Sequence, residues 1–157
     1  MYKEGLFNDK IALVTGGRSG IGYGIAKMYL NLGATVIIAS RKVEPLAKAA
    51  QELSALGKCL FKACDIRELE EIEALANYIK EECGRLDILI NNAGGQFPAP
   101  AEMISPKGWA AVINNNLNGT FYMSQHMTKT FFIPQSSGNI VRYAWYGTHR
   151  SSKSWRR

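Results

Sequence analysis

The sequence contains no apolar run near the roughly 20 residues that a membrane-spanning helix requires, so none of its 157 residues is expected to lie in a membrane. The opening Met1-Tyr2-Lys3-Glu4-Gly5 has no apolar signal core behind it, and secretion is not expected. Cysteine is scarce. Cys59, Cys64 and Cys83 are an odd set without metal-ligand spacing, which predicts free or buried thiols in a reducing compartment and no metal site. Internal repeats and low-complexity stretches are absent. Acidic residues are missing from the last 16 positions, which carry Arg142, Arg150, Lys153, Arg156 and Arg157. Without those five, 14 bases face 13 acids, so the net charge of +6 belongs mostly to the tail. A basic tail can serve nucleic acid, but this one carries no nucleic-acid motif, and such a partner is not expected.

What remains is ordinary globular composition, 46% apolar and 20% charged, at a length that fits one domain with a core. Apolar runs at residues 10–14, 35–40, 59–63 and 86–90 read as buried strands, and Gly138-Asn139-Ile140-Val141 begins a fifth. Helical periodicity covers Ile21 to Leu32, Val43 to Leu56 with Pro45 in its first turn, and residues 67–82. Ser105-Pro106 has the form of an N-cap followed by proline at the first helical position, opening a long helix to about Thr130. Strands alternating with helices predict an α/β fold, a doubly wound parallel sheet of Rossmann type, incomplete after the fifth strand.

Thr15-Gly16-Gly17-Arg18-Ser19-Gly20-Ile21-Gly22 lies between the first strand and the first helix. A helix N-terminus offers unpaired N–H groups and the positive end of a dipole to a pyrophosphate. Gly16 permits a sharp turn, Gly20 lets the backbone approach phosphates, and Gly22 permits close packing of helix and strand. At the end of the second strand an acid would bind the ribose 2′-OH of NAD, whereas a nearby arginine accommodates the 2′-phosphate of NADP. This chain has Ser40-Arg41 and no acid there, and Arg18 supplies a second cation, which favours NADP. Asp65 precedes a predicted helix, where an N-cap is its simplest role. Asn114-Asn115-Asn116-Leu117-Asn118 places four helix-averse residues inside the long helix, a local conflict of the kind that marks function.

Thr15-Gly-x-x-x-Gly20-Ile21-Gly22, Asn91-Asn92-Ala93-Gly94 and Asn116-Leu117-x-Gly119-x-Phe121, in that order, resemble the short-chain dehydrogenase/reductase family. The resemblance runs from about residue 8 to Val141. Gly94-Gly95-Gln96-Phe97, Pro100-Ala101-Glu102 and Lys107-Gly108-Trp109 look most like the peroxisomal-type trans-2-enoyl-CoA reductases, with 2,4-dienoyl-CoA reductases next. The resemblance implies NADP(H) as cofactor. It implies cofactor contacts from Gly16, Arg18, Ser19, Gly20, Ile21, Gly22, Ser40, Arg41, Asp65 and Ile66 beside the adenine, and Asn92, Ala93 and Gly94. Asn116 would be the catalytic asparagine of an Asn-Ser-Tyr-Lys tetrad, supporting a water-linked proton relay by binding the kinked helix backbone. The intact form would reduce an acyl-CoA substrate, work as a homo-oligomer, and reside in the cytoplasm or, in a eukaryote, the peroxisome. A 3-oxoacyl or other carbonyl reductase and a noncatalytic nucleotide-binding fragment are the alternatives.

No Tyr-x-x-x-Lys follows Val141, and the serine position is not recognisable. Tyr146 and Arg150 have the spacing, but lie too close to strand five to serve. Residues 1–141 therefore read as the NADP-binding portion and residues 142–157 as a basic, out-of-frame or disordered tail. One set of codons for that tail, read one base later, spells Gly-Met-Pro-Gly-Met-Ala-His-Thr-Gly-Ala-Ala-Arg-Ala-Gly-Val. That text resembles the segment just before the family's catalytic tyrosine and points to a frameshift, mis-splice or gene-model error after Val141. Strand five would then be an exposed edge and part of the long helix would face water, predicting poor solubility.

Overall fold

The computed structural model describes residue 3, residues 5–96 and residues 99–143. Five parallel strands form one sheet in the order β3-β2-β1-β4-β5. They are β1 (Ile11–Thr15), β2 (Thr35–Ser40), β3 (Cys59–Ala63), β4 (Ile88–Asn91) and β5 (Asn139–Arg142). Helices α1 (Gly20–Asn31), α2 (Val43–Leu53) and α3 (Leu69–Cys83) alternate with the first four strands. Chain order reverses direction at β1, the switch point at which doubly wound sheets bind ligands beyond the strand C-termini.

Alternation along the strands divides the core into two layers. Leu13, Ile37 and Leu89 point to the face covered by α3 and the long helix, through Leu75, Ile79, Met123 and Met127. Ala12, Val14, Val36, Ile38, Ile88 and Ile90 point to the opposite face, against Ala26, Leu30, Leu46 and Leu53 of α1 and α2. Strands buried on both sides read as continuous apolar runs, which is why they were visible in the sequence.

Several boundaries differ from the sequence expectation, each for a local reason. The fourth strand begins at Ile88 rather than Leu86, because the Gln135 side chain takes both Leu86 backbone groups: Leu86 N–H donates to Oε1 and Nε2 donates to the Leu86 carbonyl. The second helix ends at Leu53, not Leu56, and the Ser54 hydroxyl donates to the Ala50 carbonyl at 2.8 Å. The third begins at Leu69, not residue 67, since the Arg67 N–H is engaged by Asp65 Oδ1 at 3.1 Å. Strand five continues through Arg142, the first residue of the expected tail, which pairs with Asn91.

The long helix exists and its N-cap is as expected: Ser105 Oγ accepts the Gly108 N–H at 3.0 Å, with Pro106 following. It extends to Gln135 rather than Thr130, as α4 (Pro106–Ile113), a π-helical stretch (Asn114–Asn118), α5 (Gly119–Met127), a second π stretch (Thr128–Phe132) and α6 (Ile133–Gln135). The first π stretch coincides with the asparagine cluster, which absorbs the conflict seen in the sequence. The second precedes Pro134, which has no N–H to continue the ladder. As expected, β5 is exposed at every residue, and Trp109, Leu117 and Phe121 of the long helix face solvent.

Candidate functional site

The turn after β1 is built around two glycines in left-handed conformation, Gly16 at φ +68° and Gly20 at φ +58°. A Cβ on Gly16 would stand 2.9 Å from Asn92 Nδ2, and one on Gly22 would overlap the Gly16 carbonyl oxygen and the same amide. A Cβ on Gly20 would meet nothing within 4 Å. Gly16 thus shapes the turn, Gly22 lets α1 sit against it, and Gly20 faces open space. Ser19 precedes α1 without capping it through its side chain, and no acid lies in the first turn. The positive end of this helix is left available for an anion.

Thr15, buried at the tip of β1, ties the turn to the segment after β4. Its Oγ1 accepts the backbone N–H groups of Asn92 and Ala93 at 3.1 and 3.0 Å and donates to the Ile90 carbonyl at 3.2 Å. The Asn92 amide donates to the Thr15 carbonyl at 2.9 Å. Asn92-Ala93-Gly94 consequently forms a wall shared by two adjoining hollows.

The smaller hollow, about 200 Å³, is lined by Gly16, Arg18, Ser19, Ser40, Arg41, Asp65, Ile66 and the shared wall. Ten of the residues predicted from sequence therefore converge there, although they come from four separate segments of the chain. Asp65 is not the cap of α3; Glu68 occupies that position. Its carboxylate instead receives a fork from Arg67, Nε to Oδ1 at 2.9 Å and Nη2 to Oδ2 at 2.5 Å. Those hydrogen bonds, with the nearby Arg41 charge, hold the Asp65 carboxyl below its usual range despite partial burial. Cys64 also lines this hollow, and burial followed by the Glu71 and Asp65 charges pushes its thiol up to about 12. It is an inert, protonated group at neutral pH.

The larger hollow, about 490 Å³, takes Ile21 and Asn116 from the predicted set, together with Gly95, Thr120, Arg142 and Tyr143. The Asn116 amide donates to the Gly95 carbonyl at 2.6 Å and to the Val112 carbonyl at 2.9 Å, and Oδ1 accepts the Gly95 N–H at 3.1 Å. Asn116 thus clamps the loop after β4 as well as binding the π-distorted helix backbone. Its own carbonyl accepts the Thr120 hydroxyl at 2.9 Å. Gly20 and Gly22 line neither hollow; they set the shape of the turn between them.

Thr15, Gly95, Asn115, Thr120, Arg142 and Tyr143 were not singled out from sequence as site residues. Thr120 follows Asn116 by four residues, a helical spacing that was readable; Gly95 and Arg142 reach Asn116 only through tertiary folding. Tyr146 and Arg150 lie outside the described residues. Among the described residues there is no cluster of three potential metal ligands, and no helix is long and apolar enough to cross a membrane.

A family profile described as short chain dehydrogenase matches residues 10–152. The chain is 37% identical over 143 residues to a peroxisomal 2,4-dienoyl-CoA reductase, (3E)-enoyl-CoA-producing, of Danio rerio, covering 90% of this chain and 47% of that protein. Among solved structures it is similar to the citronellol catabolism dehydrogenase AtuB of Pseudomonas aeruginosa PAO1, with 38% identity, a TM-score of 0.85, and coverage of 90% of this chain and 58% of that one. It is also similar to the F189W actinorhodin polyketide ketoreductase with NADPH, at 32% identity and a TM-score of 0.82, covering 85% and 52% of the two chains. The chain spans about half the length of these proteins.

Proposed function

The chain belongs to the short-chain dehydrogenase family, and on that premise we propose that it carries the dinucleotide-binding portion of an NADPH-dependent reductase acting on an α,β-unsaturated acyl-CoA thioester. The observation that carries this reading is the smaller hollow, where Arg18, Ser40 and Arg41 meet Asp65 beside a glycine turn and an uncapped helix N-terminus. The donor set fits the group. Arg41 and Ser40 would hold the 2′-phosphate, the turn and α1 the pyrophosphate, and Asp65 with Ile66 the adenine. When bound, the reduced nicotinamide would supply a hydride to the conjugated acyl chain, at the β-carbon of a 2-enoyl thioester or at the δ-carbon of a 2,4-dienoyl thioester that yields a 3-enoyl product, with a proton going to the α-carbon. Asn116 orients the Gly95 loop at the opposite end of the trough.

The substrate class rests on motif resemblance to trans-2-enoyl-CoA reductases and on relatives named as 2,4-dienoyl-CoA reductases. Both substrates are unsaturated at the position next to the thioester, and that shared chemistry is the reading. Carbonyl reduction is the second reading, favoured by the likeness to a polyketide ketoreductase. The three free cysteines fit a reducing compartment, cytoplasmic or peroxisomal. Self-association of the intact form belongs to the same reading. Arg41→Ala tests the cofactor assignment: it should weaken NADPH binding on the order of tenfold or more, the worth of a charge-assisted phosphate contact, and leave NADH binding unchanged. Equal losses for both nucleotides would remove Arg41 from the 2′-phosphate role.

A further inference from the structure

The two hollows share the Asn92–Gly94 wall, and the smaller one gathers every group suited to the adenosine end of a dinucleotide. The nicotinamide end would then face the larger hollow. Among the described residues lining that cavity, Arg142 carries the sole charge; the rest are apolar, amide, hydroxyl or phenol groups and glycine. Strand β5 brings it there by pairing Arg142 with Asn91. Its Nη2 donates to the Asn116 carbonyl at 3.5 Å, the outer limit of a hydrogen bond, and that carbonyl already accepts the Thr120 hydroxyl. No carboxylate among the described residues lines the cavity to neutralise the guanidinium.

Oxidised and reduced nicotinamide dinucleotides have the same phosphates, riboses and adenine. They differ in the ring, which carries a positive charge when oxidised and none when reduced. A cation lining the ring's cavity repels the first and is indifferent to the second. We infer that Arg142 is a specificity-determining residue that makes this cavity favour reduced over oxidised cofactor. The inference rests on the NADP reading above and gives it a direction: the reduced form binds more tightly than the oxidised form.

The test is a charge series at position 142 in the full chain. NADPH affinity is read from nicotinamide fluorescence, NADP+ affinity from displacement of NADPH, and 2′,5′-ADP serves as a probe of the adenosine end alone. At low salt NADPH should bind roughly threefold to tenfold tighter than NADP+, from two unit charges at partly solvated separation. Arg142→Lys should keep that ratio, Arg142→Gln should bring it towards one, and Arg142→Glu should reverse it. Added salt should shrink the difference. Affinity for 2′,5′-ADP should stay constant across the series. A ratio that does not follow the charge while 2′,5′-ADP still binds overturns this inference alone. Loss of 2′,5′-ADP binding in the variants assigns Arg142 a structural role and overturns it too. Failure of the unaltered chain to bind 2′,5′-ADP overturns the cofactor reading and this inference together.

Discussion

Strands β4 and β5 are neighbours in one parallel ladder, with Ile90 opposite Val141, yet they occupy different environments. All four residues of β4 are buried; all four of β5 are exposed, although Ile140 and Val141 are as apolar as their partners. Backbone pairing alone does not make a core. β4 is buried because the α1–α2 layer covers Ile88 and Ile90 while the long helix and α3 cover Leu89. β5 is held by hydrogen bonds, including Asn139 N–H to the Asp87 carbonyl and Tyr143 N–H to the Asn91 carbonyl. The site inherits this contrast. The smaller hollow adjoins the ends of β1, β2 and β3, of which β1 and β2 are well covered, and the larger one has β5 as part of its rim.

The comparison breaks if side chains on the two strands are worth the same. Leu89→Ala, at a position with no exposure, should cost about 2–5 kcal/mol in urea unfolding. Ile140→Ala, 46% exposed, should cost less than about 1 kcal/mol. Equal losses would mean that β5 is packed as tightly as β4. Next in size is Asp87→Ala, at the N-terminal ends of the strands. The nearly buried Asp87 carboxylate accepts the Ile11 N–H at 2.9 Å and pairs with Arg85 and Lys10. Removing it leaves a buried donor without its acceptor, a loss of about 1–3 kcal/mol in the same assay.

Ser105→Ala removes the cap of the helix that spans both regions and should cost about 1 kcal/mol, read as a shift in melting temperature. The smallest effect concerns pH. Because Arg67 lowers the Asp65 carboxyl in the folded chain, this pair stabilises the fold above the unfolded carboxylate value of roughly 4 and loses that contribution as pH falls through the lower folded value. Arg67→Gln should therefore narrow the stability difference between neutral and strongly acidic pH. The change should stay under about 1 kcal/mol, since solvent screens a partly exposed pair. A wider difference in denaturant midpoints would contradict the assignment.

The order of strands and helices was legible because each element carries its own period: continuous apolar runs for covered strands, a 3.6-residue repeat for α1 to α3, and Ser105-Pro106 for the long helix. The glycine turn was legible because only a few residue types tolerate its geometry. The asparagine cluster signalled a distortion, but not that its centre would grip Gly95, 21 residues away. Pairings of this kind depend on the sheet bringing distant segments together. The same holds for Asp87 with Ile11, 76 residues apart, and for Arg142 with Asn116. The Arg67 fork on Asp65 is local, yet beside the adenine contact the sequence offered only a helix cap, the usual role of an Asp just before a helix.

The most direct test of the account is a titration of the full chain with NADPH and, separately, NADH, followed by nicotinamide fluorescence and competed with 2′,5′-ADP. The account predicts saturable NADPH binding, displaced by 2′,5′-ADP, with NADH weaker by about tenfold or more for want of the phosphate that Arg41 would grip. NADH binding as tightly as NADPH, or neither binding, would contradict the assignment of the smaller hollow as an NADP adenosine site.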